Sequence, residues 1–578
     1  MSHVLKRPAG LLKRPAGLDD HAAADAARAS VKKKKLQSQQ GAGTLGYLLR
    51  TADLRDGPQD IEELADWPEL LWKCVRQRRD SQVLHERVKS MMAAGIVLHS
   101  ECSGKLSLET ALKMLFLDRN IEIAGSTDVN TGIFTWKACD TSSLCQRVAL
   151  ASPHKPIHVF KGMLEVMPQH HQDKIIGLRP PASAPLEQKK EAYAAMGAHL
   201  REHQVELCGR HSTAMVGSCL RHPHSHCQLY FQDPDPAESP PSARPLTMSI
   251  SGPPCTPFTS FGNRLLWAHE DMEAYHLWVA SVANASLDIV GIENSADFVE
   301  DLFHKPLQQD YEAKHVIFDC CDLGLPTHRK RFWGAGLHKS SLVWVGESGR
   351  DVTQHFRDFF FSAVRLEGDI YFGLRADEEK ALRDHLARNR GMYGVGSHGD
   401  AVSIAELLPV AMRESYEKQL KLYADGTAKA GFGGAYILDV TQSAHRPRCG
   451  PLLPAQARNT LLLSISKEKF LTPTEVEFSM GWPSIAEISA CRRYSHVQGY
   501  CPEVLGISSG QRTSLSGNSM VLPALAAFWL YILCYTVRRD QVEVMSPMPT
   551  IMETESDDDS DDIIHEAEEA PLAAPPLI

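Results

Sequence analysis

At 578 residues with 43% apolar side chains, the chain is long enough for two or three domains and a large core. Its formal net charge of −10 excludes a protein that is basic all over, so any nucleic-acid surface must be a local patch. Fourteen cysteines scattered over this length, behind a start (Met1-Ser2-His3-Val4) with no signal-peptide apolar run, read as reduced thiols of a cytosolic or nuclear protein and not as a disulfide framework.

Residues 1 to 60 read as a disordered basic tail: Leu-Lys-Arg-Pro-Ala-Gly-Leu occurs twice (5 to 11 and 12 to 18), and nine Lys/Arg face three Asp in the first forty residues. Within it Lys32 to Lys35 suit a nuclear localisation signal or a non-specific phosphate contact. Ile96 to Leu98 predict a strand that meets Ser100-Glu101-Cys102-Ser103-Gly104, followed by a helical spacing at Leu108, Ala111, Leu112 and Leu115. A second strand is expected at Ile121 to Ala124, ending at Thr127-Asp128, and a third at His158 to Phe160. Strand, glycine turn, helix and a second strand ending in an acid is how a nucleotide-like cofactor is held.

Between 200 and 245, Cys208 and His211, then Cys219 and His222, form pairs at zinc-ligand spacing, with His224, His226 and Cys227 nearby. Only seven residues separate the pairs, so the reading is that no metal binds here, with structural zinc as the alternative. Prolines 234, 236, 240, 241 and 245 mark an exposed insertion. A strand, Leu246 to Ile250, then enters Gly252-Pro253-Pro254-Cys255-Thr256, where two prolines fix the path of the loop that carries the thiol. A helix face steps through Leu265, Ala268, Met272, Tyr275, Val279 and Val282. Strands are predicted at Leu287 to Ile292, ending in Glu293-Asn294, at His315 to Phe318, and at Phe332 to Leu337 after Thr327-His328-Arg329-Lys330-Arg331. Strands alternating with helices predict an α/β fold, a doubly wound, mostly parallel sheet.

Past residue 340 the pattern weakens into a second, irregular domain with Gly431 to Gly434 and the basic run His445-Arg446-Pro447-Arg448. Leu471-Thr472-Pro473-Thr474-Glu475, Met480-Gly481-Trp482-Pro483 and Gly517-Asn518-Ser519-Met520 follow. The apolar run Met520 to Val537 is at the lower edge of what spans a bilayer and reads as a buried helix, capped by Asn518 or Ser519. Residues 541 to 578, with eleven Asp/Glu and no Lys/Arg, read as a disordered acidic tail.

A cysteine loop, a glutamate and an arginine pair at the ends of consecutive strands, with the two closing motifs after them, resemble the DNA cytosine-5 methyltransferase family from about residue 95 to 537. The resemblance implies a Rossmann-like catalytic domain in two parts, 86 to 340 and 464 to 540, with a target-recognition domain at 341 to 463. It implies S-adenosylmethionine as cofactor, touched by Ser103, Gly104, Asp128, Asn518 and Ser519. It implies that Cys255 attacks carbon 6 of a flipped-out cytosine, that Glu293 holds ring nitrogen 3, and that Arg329 holds the oxygen at position 2 with Arg331 behind it. The implied partner is DNA, with RNA as the alternative, and the implied location is the nucleus. A non-enzymatic DNA-binding or scaffold relative is the competing reading, because Lys105-Leu106 stands where the family has its second glycine and Thr327 where it has glutamine.

Overall fold

The computed structural model describes residues 54–102, 104–117, 132–232, 240–259, 264–346, 351–391, 402–445, 447–497 and 505–542. Seven strands form the main sheet: β1 Ile96–Glu101, β2 Ile133–Cys139, β3 His158–Phe160, β4 Leu246–Ser251, β5 Ile289–Ser295, β6 Tyr311–Phe318 and β7 Arg331–His338. Their order across the sheet is β3-β2-β1-β4-β5-β7-β6. All neighbours are parallel except β7, which runs against both β5 and β6. The direction of strand addition reverses between β1 and β4, and the crevice at the carboxyl ends of those strands is where open α/β sheets bind ligands. The doubly wound, mostly parallel sheet expected from the sequence is therefore present.

The helices that cover the sheet include α1 Trp67–Arg76, α2 Ser81–Met92, α3 Ser107–Phe116, α4 Met272–Ala283, α5 Pro473–Ser479, α6 Ser509–Asn518 and α7 Leu522–Cys534. All thirteen residues of α7 are buried in the main core, among side chains of α1, α2 and α3. Its N-cap is Val521, with Pro523 in the first turn; Ser519 is instead the C-cap of α6, so neither Asn518 nor Ser519 caps α7 as expected. Pro523 fits there because first-turn N–H groups have no intrahelical acceptor.

Order begins earlier than the sequence suggested. Arg55–Asp56 pairs with Ser362–Ala363, and α1 buries Trp67 and Trp72, whose indole N–H groups donate to Gly481 O and Leu115 O. The rest of the basic tail and residues 543 to 578 lie outside the described residues. The face predicted from Leu265 is broken: a one-turn 3-10 helix, Leu266–Ala268, precedes α4, with His269-Glu270-Asp271 between them.

The irregular domain has its own small core. Helices Ala376–Asn389, Ile404–Leu407 and Val410–Ala424 cover a four-stranded antiparallel sheet, ordered Cys449–Gly450, Ile437–Asp439, Leu462–Ser464 and Lys469–Phe470. Leu407, Leu438, Leu463 and Phe470 meet inside it. Phe356, Phe359 and Phe360 pack instead into the main core, so that core extends past residue 341 and the small one past 463. The Leu-Thr-x-x-Glu motif is a helix start: Thr472 and Glu475 form a reciprocal capping box on α5. The same Glu475 carboxylate accepts Leu374 N and Arg375 N, tying the small domain to α5.

Candidate active site

β4 ends at Ser251, and Gly252 to Cys255 turn over the sheet edge into a 3-10 helix, Thr256–Phe258, of which Cys255 is the N-cap. A Cβ on Gly252 would lie 3.1 Å from Met520 Cε and 3.7 Å from Glu293 Oε2, so glycine lets this loop approach the neighbouring strand end. Asn294 Nδ2 donates to Pro253 O at 3.1 Å, and its Oδ1 accepts Ser295 N, which pins the cysteine loop onto β5. Thr256 Oγ1 donates to Asp271, fixing the far side of the turn.

β7 runs antiparallel to β5, so its first residue enters at the edge where β5 ends. Arg331 lies opposite Ser295 and Trp333 opposite Glu293. Arg331 and Glu293 are thus diagonal neighbours, within reach of a long side chain, and Arg331 Nε stands 2.8 Å from Glu293 Oε1. That oxygen is buried without a hydrogen bond among the described residues, so the ion pair is close but not aligned. Burial and the Glu293 charge raise the Cys255 thiol above its usual range, while Arg331 and Arg329 pull it down.

Arg329 is placed differently from the expectation. It is buried and donates to three backbone carbonyls: Gln456 at 2.9 Å, Gly517 at 3.2 Å and Ser519 at 2.9 Å. Its own N–H is held by Asp319 Oδ1 at 2.6 Å. Burial, then the nearby Arg331, depress its guanidinium to about 10. Arg331 stands beside Glu293 at the sheet edge, and Arg329 clamps the closing segment. Thr327 is buried, its backbone bridging to Leu453 and its hydroxyl donating to Leu453 O.

Of the residues proposed to touch cofactor, Ser103 and Asp128 lie outside the described residues, as does the strand expected at Ile121 to Ala124. The strand beside β1 is β2, and the acid at its end is Asp140. Asp140 accepts Gly104 N at 3.0 Å and Ser142 N at 2.8 Å. Burial raises its carboxyl, against those two N–H groups and the charge of Arg458. Arg458 also donates to Asn518 Oδ1 at 2.8 Å, so the closing motif and the β2 acid share one neighbour. Ser519 is buried, its hydroxyl donating to Ser516 O.

The turn after β1 has left-handed backbone at Cys102 (φ 53°), Gly104 (φ 53°) and Leu106 (φ 62°), a conformation that glycine adopts at no steric cost. Lys105 points into the core, 2.9 Å from Glu477 and 4.2 Å from the centre of the Trp482 ring, and Arg512 bonds the other Glu477 oxygen. Lys105 is thus held inward by an ion network with Glu477 and Arg512. A Cβ on Gly104 would meet no described residue within 4 Å. An ionised carboxylate has about four acceptor sites, and Asp140 spends two on backbone. Glu165 Oε2 comes within 2.3 Å of where a Gly162 Cβ would stand, so a second carboxylate lies beside the segment after β3. Open space over Gly104 and spare acceptors on Asp140 fit a nucleoside cofactor.

Sequence reasoning missed Asp140, Arg458 and the positioning role of Asn294. The alternation Ile133, Thr135, Lys137 before Asp140-Thr141-Ser142 was the available signal for β2, masked by a lysine that pairs with buried Glu101 at 2.7 Å.

The thiol, the carboxylate and the guanidinium thus gather at the carboxyl edge of a doubly wound α/β sheet. Three methyltransferases are among the solved structures to which the chain is similar. These are Entamoeba histolytica EhMeth (11% identity, TM-score 0.35, covering 76% of this chain and 98% of that one), Schizosaccharomyces pombe Dnmt2 (10%, 0.37, 76% and 98%) and a mutant of Spodoptera frugiperda DNMT2 (14%, 0.34, 76% and 100%). No family model matches the sequence, and no curated protein matches it.

Proposed function

We propose that the chain is a cytosine-5 methyltransferase acting on DNA, with Cys255 as nucleophile. The observation that carries the proposal is the convergence of Cys255, Glu293 and Arg331 at the carboxyl edge of β4 and β5, with Asn294 locking the cysteine loop to the glutamate strand. S-adenosylmethionine, held by Gly104 and Asp140, would supply the methyl group to carbon 5.

The chain's residues account for the rest. The Cys255 sulfur forms a bond to carbon 6 of the ring, and the displaced electron pair makes carbon 5 nucleophilic. Glu293 shares a proton with ring nitrogen 3, which keeps that charge from building on the ring. Arg331 holds the Glu293 carboxylate and presents its remaining N–H groups to the base. Once carbon 5 is substituted, loss of its proton returns the electron pair and expels the thiolate. These atoms are stacked inside a duplex, so the base must leave the helix, at a cost of about a few kcal/mol. With DNA as substrate the site of action is the nucleus, and Lys32 to Lys35 are the proposed import signal; deleting residues 1 to 40 from a fluorescent fusion tests it.

The experiment is a trapped adduct. Cytosine with fluorine at carbon 5 accepts the thiolate and the methyl group but cannot shed fluorine as a proton. Protein, S-adenosylmethionine and fluorinated DNA should give a complex that survives denaturing electrophoresis, absent in Cys255→Ala and weaker in Glu293→Gln. An adduct with fluorinated RNA alone would transfer the same chemistry to RNA. No adduct with either polymer would favour a binder built on this fold, the reading that non-glycine Cys102 and Leu106 in the turn support.

A further inference from the structure

We propose that His158, Cys219, His222 and Cys227 form a structural zinc site that fastens the 213 to 232 segment to the edge of the main sheet. Their ligand atoms all lie within 4.8 Å of one another. Cys219 Sγ is 3.6 Å from His222 Nδ1 and 3.9 Å from His158 Nδ1, and Cys227 Sγ is 3.6 Å from His222 Nδ1. Zinc bonds of about 2.3 Å to sulfur and about 2.0 to 2.1 Å to nitrogen, at the tetrahedral angle, put sulfur and nitrogen roughly 3.6 Å apart. The four groups thus already stand near the corners of a zinc tetrahedron.

The ligand set differs from the one the sequence suggested. Cys208 lines a separate internal cavity with Lys137, Tyr230 and Ser281, and His211 is not in the cluster. The missing members are Cys227, which looked like a stray cysteine in a His-rich run, and His158, some sixty residues earlier on β3. Pairing by spacing alone could not find a ligand contributed by a sheet strand.

Several features favour a metal over coincidence. Two cysteines and two histidines are a donor set that selects zinc, with no position left open for a substrate. His158, Cys219 and Cys227 are buried, and His222 closes the solvent side. Zinc would hold Cys219 and Cys227 together as thiolates.

The location gives the metal a purpose. Leu220 N donates to Val159 O at 2.7 Å and Cys219 bridges to Phe160, so the segment runs along β3 as a short added edge. Ser218 Oγ donates to Glu165 O at 2.7 Å, and Lys161 N to Ser218 O. Zinc would therefore brace the turn after β3 that carries Gly162 and Glu165, one wall of the proposed cofactor site. It does so without touching the reacting atoms, and the metal site stands whether or not the chain is an enzyme.

Elemental analysis of the full chain purified without chelator tests this. One zinc per chain is expected, retained in Cys208→Ser and His211→Ala and lost in Cys227→Ser and His158→Gln. Because those last two variants can misfold, stripped wild-type protein is also titrated with Co2+ alone. A thiolate-to-cobalt charge-transfer band with tetrahedral visible bands is expected, displaced by one equivalent of Zn2+. Wild-type protein without zinc and without a cobalt spectrum would overturn the site, as would zinc lost from Cys208→Ser but kept in Cys227→Ser. A Cys219–Cys227 disulfide in protein purified under reducing conditions would overturn it too.

Discussion

Replacing Arg329 by Met separates a clamp from a base-binding group. The guanidinium serves three carbonyl oxygens, on Gln456, Gly517 and Ser519, two of which belong to the closing motif. Methionine keeps the volume and removes the donors, leaving three acceptors in a buried place. Each buried group left without its partner costs about 1 to 3 kcal/mol, so the loss should fall between roughly 3 and 9 kcal/mol. That is a large share of the about 5 to 15 kcal/mol that holds a native protein together. At an unfolding entropy of about 2.1 cal/mol/K per residue a chain of this length shifts by roughly 1 °C per kcal/mol, so the melting temperature should drop by at least ~3 °C in calorimetry. Arg331→Met is the control, since its side chain is 18% exposed and its ion pair sits at the sheet edge. It should melt close to wild type yet lose adduct formation with fluorinated DNA. If Arg329→Met keeps the wild-type melting temperature and abolishes the adduct, while Arg331→Met retains it, the assignment of the two arginines is refuted.

The thiol and the buried lysine add two pH-dependent predictions. Because burial and Glu293 raise the Cys255 thiol, the thiolate fraction is small at pH 7, and the rate of adduct formation should climb through pH 8 and 9 instead of levelling. Glu293→Gln removes the like charge and should shift that climb to lower pH even as it lowers the maximum; an unmoved profile would detach Glu293 from the thiol. Lys105 is lowered from 10.5 to about 8 by burial, against the pull of Glu477. A depressed folded value means that the unfolded chain binds the extra proton, so this contribution is full above pH 10.5 and is lost as pH falls through 8. Wild-type stability relative to Lys105→Met should rise by roughly 3 kcal/mol across that window, the equivalent of about 2.5 pKa units, as read by urea denaturation at fixed pH. A flat difference between the two proteins would mean that Lys105 is not the group that titrates.

Much of the fold was legible because parallel strands buried on both faces read as short apolar runs. Ile96 to Leu98, His158 to Phe160 and Leu246 to Ile250 fall within observed strands for that reason. β2 was not legible, since Thr135 and Lys137 interrupt its apolar pattern and only the buried Glu101, fixed by tertiary packing, explains the lysine. Helix α1 was legible but unread: Trp67, Leu71, Trp72 and Val75 make one helical stripe, all buried. Cys255 and Glu293 could be read as site residues because each terminates an apolar strand. The roles of Arg329 and Arg331 could not, because two residues apart in a strand they would share a face, and only the bend held by Asp319 sends Arg329 inward before β7 begins. The ligand set of the Cys/His cluster was hidden for a similar reason, since one member comes from a strand and the others from a loop.

The buried position of α7 also bears on how the chain is made. Residues in α1 and α2 find their partners near the far end of the polypeptide: Trp67 bonds Gly481, 414 positions later, and Arg87 bonds the carbonyl of Cys534, 447 positions later. At a synthesis rate of about 5 to 20 residues per second, the first of these waits roughly 20 to 80 s on the ribosome for its acceptor to emerge. During that time Trp67, Leu71, Trp72, Leu84 and Val88 lack the cover that α7 gives them. A nascent chain in that state is a client for holdase chaperones, and a ribosome stalled before residue 522 should hold an N-terminal half that proteases cut freely, while one stalled with α7 clear of the exit tunnel should not.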